Sequence, residues 1–172
     1  CSSDLPDTVL CPSLQRLLTL LVDAKNAFNE LNRKAMLWTV AHLWPSGARF
    51  SFNCYRHSTV MVVRRRGGTP EYILSREGVT QGDPLSMLLY GLAMTPLALI
   101  LQREEPGVVW AWYADDASLS CPPAAVANGM RLFLRYGPAR GYFPCPAKSI
   151  LIDAPPEDSP RGRLLSEFSF EA

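Results

Sequence analysis

The sequence predicts an α+β domain whose sheet is largely antiparallel. Three observations support this. Strand-like and helix-like runs are mixed along the chain. Two short apolar stretches, 108–113 and 117–121, flank Ala114-Asp115-Asp116 in the manner of a hairpin. An uncharged run from Pro84 to Gln102 reads as a helix apolar all round, buried between a sheet and other helices.

The elements follow in order. Residues 1–12 look irregular, with Pro6 and Pro12, and Ser13 is placed to cap a short helical turn. Residues 17–22 form a buried strand ending at Asp23. Over 29–44, Leu31, Ala35, Trp38 and Ala41 fall at helical spacing, and Pro45-Ser46-Gly47 stops that helix. Two β-like runs follow, 49–55 and 59–64, and Gly67-Gly68-Thr69-Pro70 turns the chain into a third, 71–75. The long apolar helix starts with Asp83 as N-cap and Pro84 at N1, where the missing N–H costs nothing. Its length would suit a membrane span of about 20 residues. Its capped start and its Gly91, Thr95 and Pro96 favour a core helix, so no membrane partner is expected. Pro106-Gly107 breaks it ahead of the hairpin. Pro122-Pro123 then precedes a helix over 124–136, and 141–152 return as a loop and strand. The tail from Pro155, rich in Pro, Glu and Arg, reads as exposed over 153–172.

With 172 residues, 48% hydrophobic and 19% charged, the chain suits a single domain with a real core, which excludes general disorder. A net charge of +1 neither demands nor excludes a polyanionic partner. The basic residues Arg56, His57, Arg64, Arg65 and Arg66 do cluster. Five cysteines show no CxxC or Cys/His metal spacing, which reads as reduced thiols in an intracellular protein. The first residue is Cys, so the chain is expected to begin inside a longer protein.

Chemistry centres on Tyr113-Ala114-Asp115-Asp116. Two adjacent carboxylates at a strand–turn–strand repel unless something positive neutralises them, and a divalent metal is the usual solution. A third carboxylate, Asp23, ends another apolar run. Three aspartates at strand ends suit a two-metal phosphoryl-transfer site. Adjacent residues in a strand point to opposite faces, so Asp115 and Asp116 cannot contribute equally. The expectation is one firm ligand and one looser one. Mg²⁺ takes few carboxylates and keeps waters and substrate phosphates as its other ligands.

Four segments in this order resemble the palm motifs of reverse transcriptases. Leu21-Val22-Asp23-Ala24-Lys25-Asn26-Ala27-Phe28-Asn29 is similar to the first, and Glu77-Gly78-Val79-Thr80-Gln81-Gly82-Asp83-Pro84-Leu85-Ser86 to the second. Tyr113-Ala114-Asp115-Asp116 is similar to the third, and Gly141-Tyr142-Phe143 through Lys148-Ser149 to the fourth. The likeness covers residues 17–152 and is nearest to retroelement enzymes. It implies a polymerase palm-like antiparallel sheet packed on helices, one domain over 1–172 with partial fingers and no thumb. It implies RNA-directed DNA synthesis: attack of a primer 3′-OH on a dNTP paired with an RNA template, the primer being DNA or RNA.

The resemblance also implies roles. Asp23 and Asp115 would bind two Mg²⁺ ions, or Mn²⁺ in their place, with Asp116 in support and the Ala24 carbonyl completing one shell. The backbone N–H groups of Asn26 and Ala27 would hold the triphosphate. Phe28 would be a steric gate against the 2′-OH, Gln81 and Gly82 would line the nucleotide pocket, and Lys148 would approach the leaving pyrophosphate. Asn29 stands where many relatives carry a second acid and takes no metal role. Two rival readings are a silent reverse-transcriptase-like domain that binds RNA or acts as a scaffold, and an RNA-dependent RNA polymerase. The intact aspartates argue against the first. Phe28 argues against the second, because an NTP user must accept the 2′-OH. Arg64, Arg65 and Arg66 could track a phosphate backbone or simply end a strand. Trp110 and Trp112 read as sheet packing, and Tyr113 as a residue that could touch the primer end.

Overall fold

The computed structural model describes residues 17–64, 66–152 and 158–168. The irregular stretch expected over 1–12, the Ser13 cap, Arg65, and residues 153–157 and 169–172 of the tail lie outside the described residues. A four-stranded antiparallel sheet is formed by β1 (Leu18–Val22), β4 (Val109–Tyr113), β5 (Asp116–Cys121) and β6 (Ile150–Ile152), in the order β4-β5-β1-β6. Its inner face is written in the pleat. Leu18, Leu20 and Val22 alternate inward on β1, and Ala117, Leu119 and Cys121 do the same on β5. Each fully buried Leu or Val there contributes about 1.5–3 kcal/mol relative to exposure.

Helices back this face. The longest is α4 (Ser86–Glu104), which sends Leu89, Tyr90, Ala93, Met94, Leu97 and Leu101 into the core. By length and composition α4 is the one helix among the described residues that could cross a membrane. In the fold it packs against α2 (Arg33–Leu43) and α5 (Pro123–Tyr136), but it is not buried all round as the sequence suggested: Met87, Leu88 and Leu99 are exposed on its other face. Trp110 and Trp112 pack as expected, with Trp110 edge-on to Phe133 at 5.5 Å and Trp112 edge-on to Tyr142 at 5.5 Å.

Several local expectations are corrected. The expected helix over 29–44 is two helices, α1 (Ala27–Glu30) and α2, separated at Leu31-Asn32 because the Asn32 side chain accepts from the Ala35 N–H and starts a new N-terminus. The expected strand over 49–55 is a helix, α3 (Pro45–Tyr55), with Pro45 opening it at the first turn rather than stopping its predecessor. Its buried stripe is Gly47, Ser51 and Tyr55, four apart, while the alternating Phe50 and Phe52 that suggested a strand are exposed. Helix α4 begins at Ser86, two residues late: Asp83 Oδ1 accepts from the Leu85 N–H and caps the turn before the helix. Finally, the described part of the tail is not wholly exposed. Its helix α6 (Pro160–Ser166) buries Leu165, and Arg131 of α5 pairs with Glu167 at 2.7 Å and stacks over Phe168. Strand β1 is buried on one face only, since Leu21 is 41% exposed on the other.

Strands β2 (Thr59–Val63) and β3 (Glu71–Ser75) form a separate two-stranded ribbon whose Val60, Met61, Tyr72 and Leu74 are exposed.

Candidate active site

The register of β1 on β5 builds the site. Val22 pairs with Ala117, Leu21 with Ser118 and Thr19 with Ser120. The Thr19 and Ser120 hydroxyls meet at 2.9 Å, which marks the outer face of the sheet. Continuing the ladder one step brings Asp23 and Asp116 opposite each other on that same face. Both line a pocket of about 490 Å³ with Leu21, Tyr113, Ser118 and Lys148. The strand ends that the sequence marked with carboxylates do converge, and Lys148 joins them.

The two acids of the hairpin are placed differently. Tyr113 pairs with Asp116, leaving Ala114-Asp115 as a two-residue turn. Asp116 is the first residue of β5 and shares the parity of Ser118, whereas Asp115 belongs to the turn. Asp116, rather than Asp115, therefore shares the pocket with Asp23. Ala114 takes φ +56, the left-handed value that a two-residue hairpin requires at its first position.

Asp23 is fixed by its backbone. Its N–H donates to Ser149 Oγ at 3.3 Å, and its carbonyl accepts from the Cys145 N–H at 2.8 Å. Ala24, almost fully buried, bridges Pro144, and the Lys25 N–H donates to the Phe143 carbonyl at 2.9 Å. The first and fourth motifs are thus zipped together, which places Lys148, on the 3₁₀ turn Pro146–Lys148, beside the acids. Beneath them, the Tyr142 hydroxyl lies 3.5 Å from the Val22 carbonyl and 3.3 Å from that of Asp115, tying the end of β1 to the hairpin turn. Burial first, then the charges of Tyr90, Asp115, Asp116 and Asp23, push the Tyr142 phenol far above its ordinary range, so it stays a donor. Tyr90 is raised in the same way by burial and then by Asp115 and Asp116.

A second pocket, about 410 Å³, is lined by Phe28, Gln81, Gly82 and Asp83. Phe28 is half-buried and stacks on Tyr90 at 4.6 Å. Asn26, at φ +46, opens α1, and its carbonyl accepts from the Asn29 and Glu30 N–H groups; Ala27 behind it is buried. The 77–83 loop is stitched to α1 by the Gly78 N–H on the Leu31 carbonyl and the Val79 N–H on the Phe28 carbonyl, both 2.8 Å. Every residue expected at the nucleotide pocket from the second motif therefore sits beside Phe28. The basic ribbon end at Arg64 is exposed and lines neither pocket. His57 enters only through its carbonyl, which accepts from Arg33.

Solved structures with a similar fold include telomerase from Candida albicans in complex with a TWJ fragment of telomeric RNA, at TM-score 0.62 and 14% identity over 80% of this chain and 28% of that one. Apo telomerase from Candida tropicalis, truncated from its C-terminal domain, matches at TM-score 0.61 and 16% identity over 83% of this chain and 32% of that one. The fold is palm-like. It is the α+β fold seen in those telomerase chains, an antiparallel sheet packed on helices. The chain spans about a third of their length. No family model and no curated protein matches the sequence.

Among the described residues, no three His, Cys, Asp or Glu side chains stand close enough to enclose an ion. The pocket instead gathers two carboxylates, Asp23 and Asp116, which suits Mg²⁺, an ion bound through one or two carboxylates with substrate phosphates supplying further ligands. The buried Tyr90 hydroxyl, within the field of Asp115 and Asp116, has no hydrogen-bond partner among the described residues. The residues present fit a hard divalent cation at this end of the sheet.

Sequence reasoning missed Arg33, Tyr55, Tyr90 and Tyr142. Arg33 left a signal: a charge on the same helical stripe as the buried Met36 and Val40.

Proposed function

We propose that the chain is the palm of an RNA-directed DNA polymerase of a retroelement, extending a DNA or RNA primer with dNTPs along an RNA template. The observation that supports this best is that one palm-like fold carries two pockets of matching chemistry. One presents Asp23, Asp116 and Lys148; the other presents Phe28, Gln81 and Gly82. Asp23 and Asp116 would hold divalent cations, with Asp115 and the Ala24 carbonyl as neighbouring oxygen donors. Such ions, Mg²⁺ or Mn²⁺, supply Lewis-acid stabilisation of the attacking and leaving oxygens. The chain's own residues do the rest. The Phe28 ring, held by its stack on Tyr90, excludes a ribose 2′-OH. Gln81 and Gly82 form the opposite wall against the paired base. The Asn26 and Ala27 amides meet the triphosphate, and the Lys148 ammonium offers a charge or a proton to the departing pyrophosphate.

The test is primer extension on an RNA template with dNTPs and Mg²⁺, paired with Mn²⁺ binding followed by electron paramagnetic resonance. Asp23→Asn and Asp116→Asn should each abolish extension and weaken Mn²⁺ binding, and Asp115→Asn should weaken binding less than Asp116→Asn. Wild-type protein that binds RNA but neither extends primers nor binds Mn²⁺ would establish the silent RNA-binding module instead.

A further inference from the structure

Gln81 and Gly82 can face Phe28 only if their loop is held from behind, and what holds it is a polar brace buried outside the catalytic pocket. Arg33, at the start of α2, is 6% exposed. Its guanidinium donates through Nε to the Gly78 carbonyl at 2.7 Å, through Nη1 to the Ser75 carbonyl at 3.0 Å and the His57 carbonyl at 3.3 Å, and through Nη2 to Ser75 Oγ at 2.8 Å. The Arg33 N–H is capped by Glu77 Oε2 at 2.8 Å. A buried cation with this many donors satisfied is a fixed point rather than a mobile side chain.

Tyr55, from the end of α3, continues the brace. Its ring lies under the Arg33 guanidinium, 5.5 Å from Cζ to centroid. Its hydroxyl donates to Asp83 Oδ2 at 2.7 Å and accepts from the Thr80 N–H at 3.4 Å. Asp83 in turn receives the Leu85 N–H on Oδ1 at 2.9 Å. The chain Arg33–Tyr55–Asp83 therefore grips residues 78, 80, 83 and 85, on either side of Gln81 and Gly82. Burial first, and the Asp83 bond next, raise the Tyr55 phenol, while the Tyr55 bond and then the Leu85 N–H lower the Asp83 carboxyl. Donor and acceptor keep their roles across the working pH range.

We propose that Arg33 and Tyr55 are positioning residues for the incoming nucleotide: they set the height of Gln81 and Gly82 opposite Phe28 without touching the substrate. This rests on the reading of that pocket as the dNTP site. The same guanidinium holds the base of the β2–β3 ribbon through His57 and Ser75, so ribbon and pocket loop share one anchor.

The informative variant is Tyr55→Phe, which keeps the ring under Arg33 and deletes only the hydroxyl. Asp83→Asn is the second variant, since it weakens the same bond from the other side; because Asp83 also lines the pocket, its loss of binding counts for the brace only where Tyr55→Phe shows it too. Binding of a fluorescent dNTP to the 172-residue chain with primer–template is measured alongside hydrogen exchange of the 77–85 segment. Either variant should weaken dNTP binding about tenfold, equivalent to 1.4 kcal/mol. In steady state KM for dNTP should rise with kcat within about twofold, and exchange should accelerate in 77–85 but not in α5. The double variant should lose no more than the worse single one, because both delete one bond. If wild type binds dNTP and both variants bind it equally well, the positioning role is overturned and the pocket reading survives. If wild type binds no dNTP, the pocket reading fails and the brace is structural only, whatever the exchange shows.

Discussion

Gly78→Ala should unfasten the second motif from the first, and its cost can be worked from the geometry. Gly78 sits at φ +80, and a Cβ built there falls 2.4 Å from the Asn29 carbonyl oxygen and 2.6 Å from Asn29 Cα. Both are backbone atoms, so no rotamer change relieves the clash. The left-handed conformation alone costs an L-residue about 1–2 kcal/mol. Retreat of the loop would also break the Gly78 N–H bond to the Leu31 carbonyl and the Arg33 Nε bond to the Gly78 carbonyl. A neutral bond is worth about 1 kcal/mol and a charged one about 1.5–3 kcal/mol. The total is about 3.5–6 kcal/mol, large against a typical domain stability of 5–15 kcal/mol. Gly82→Ala is the internal control, because Gly82 has φ +90 but nothing within 4 Å of the added Cβ, so only the conformational part applies. Urea unfolding of both variants is the assay, with hydrogen exchange to show whether loss is global or confined to 77–85. If Gly78→Ala is no more destabilising than Gly82→Ala, the stitched loop is not what holds this part of the fold.

Four further outcomes are expected. Ala114→Gly should stabilise the hairpin by about 0.5–1 kcal/mol in urea unfolding, because it relieves a non-glycine residue at φ +56 less the entropy a glycine adds to the unfolded chain. Phe28→Ala should raise ribonucleotide incorporation relative to dNTP in primer extension; an unchanged preference would remove the gate assignment. The Asp83 carboxyl is held below its ordinary 3.8 by Tyr55, so the stability it lends is present above that value and lost as pH falls through the folded one. The stability gap between wild type and Tyr55→Phe, measured by urea unfolding from pH 6 to pH 2.5, should accordingly narrow on acidification. Burial pushes the Cys121 thiol up to about 11, so iodoacetamide at pH 8 should alkylate the exposed Cys54 in native protein and spare Cys121, as read by peptide mass spectrometry.

What was legible in the sequence is what depends on local pattern. The apolar run before Asp23 and the pair of runs around Ala114-Asp115 are strands because alternation and turn chemistry act within a few residues. The motifs named most of the pocket walls for the same reason, since Phe28, Gln81 and Gly82 each lie next to their own element. The α3 segment was misread because Phe50, Phe52 and Cys54 alternate like a strand, while the stripe that packs is made of Gly47 and Ser51. Small residues carry little hydropathy signal, although close packing on α2 makes them the informative ones. The brace was invisible for another reason. Arg33, Tyr55 and Asp83 are far apart in sequence and meet only once α2, α3 and the 77–83 loop have packed.

The inequality of Asp115 and Asp116 follows from the core rather than from the site. Ala117, Leu119 and Cys121 must face inward to meet the helices, and a pleat with period two then sends Asp116 outward. The partner strand obeys the same constraint: Leu18, Leu20 and Val22 go in, so Asp23 goes out. The antiparallel register brings these two outward positions level at the end of the sheet. A slip of one residue on either strand would bury a carboxylate and expose a leucine, so burial and the acid pair are specified by one register. Asp115 escapes that rule because it lies in the turn, where its backbone carbonyl is held through Tyr142 to the end of β1. Its side chain is therefore placed by the turn, whereas those of Asp23 and Asp116 are placed by the pleat.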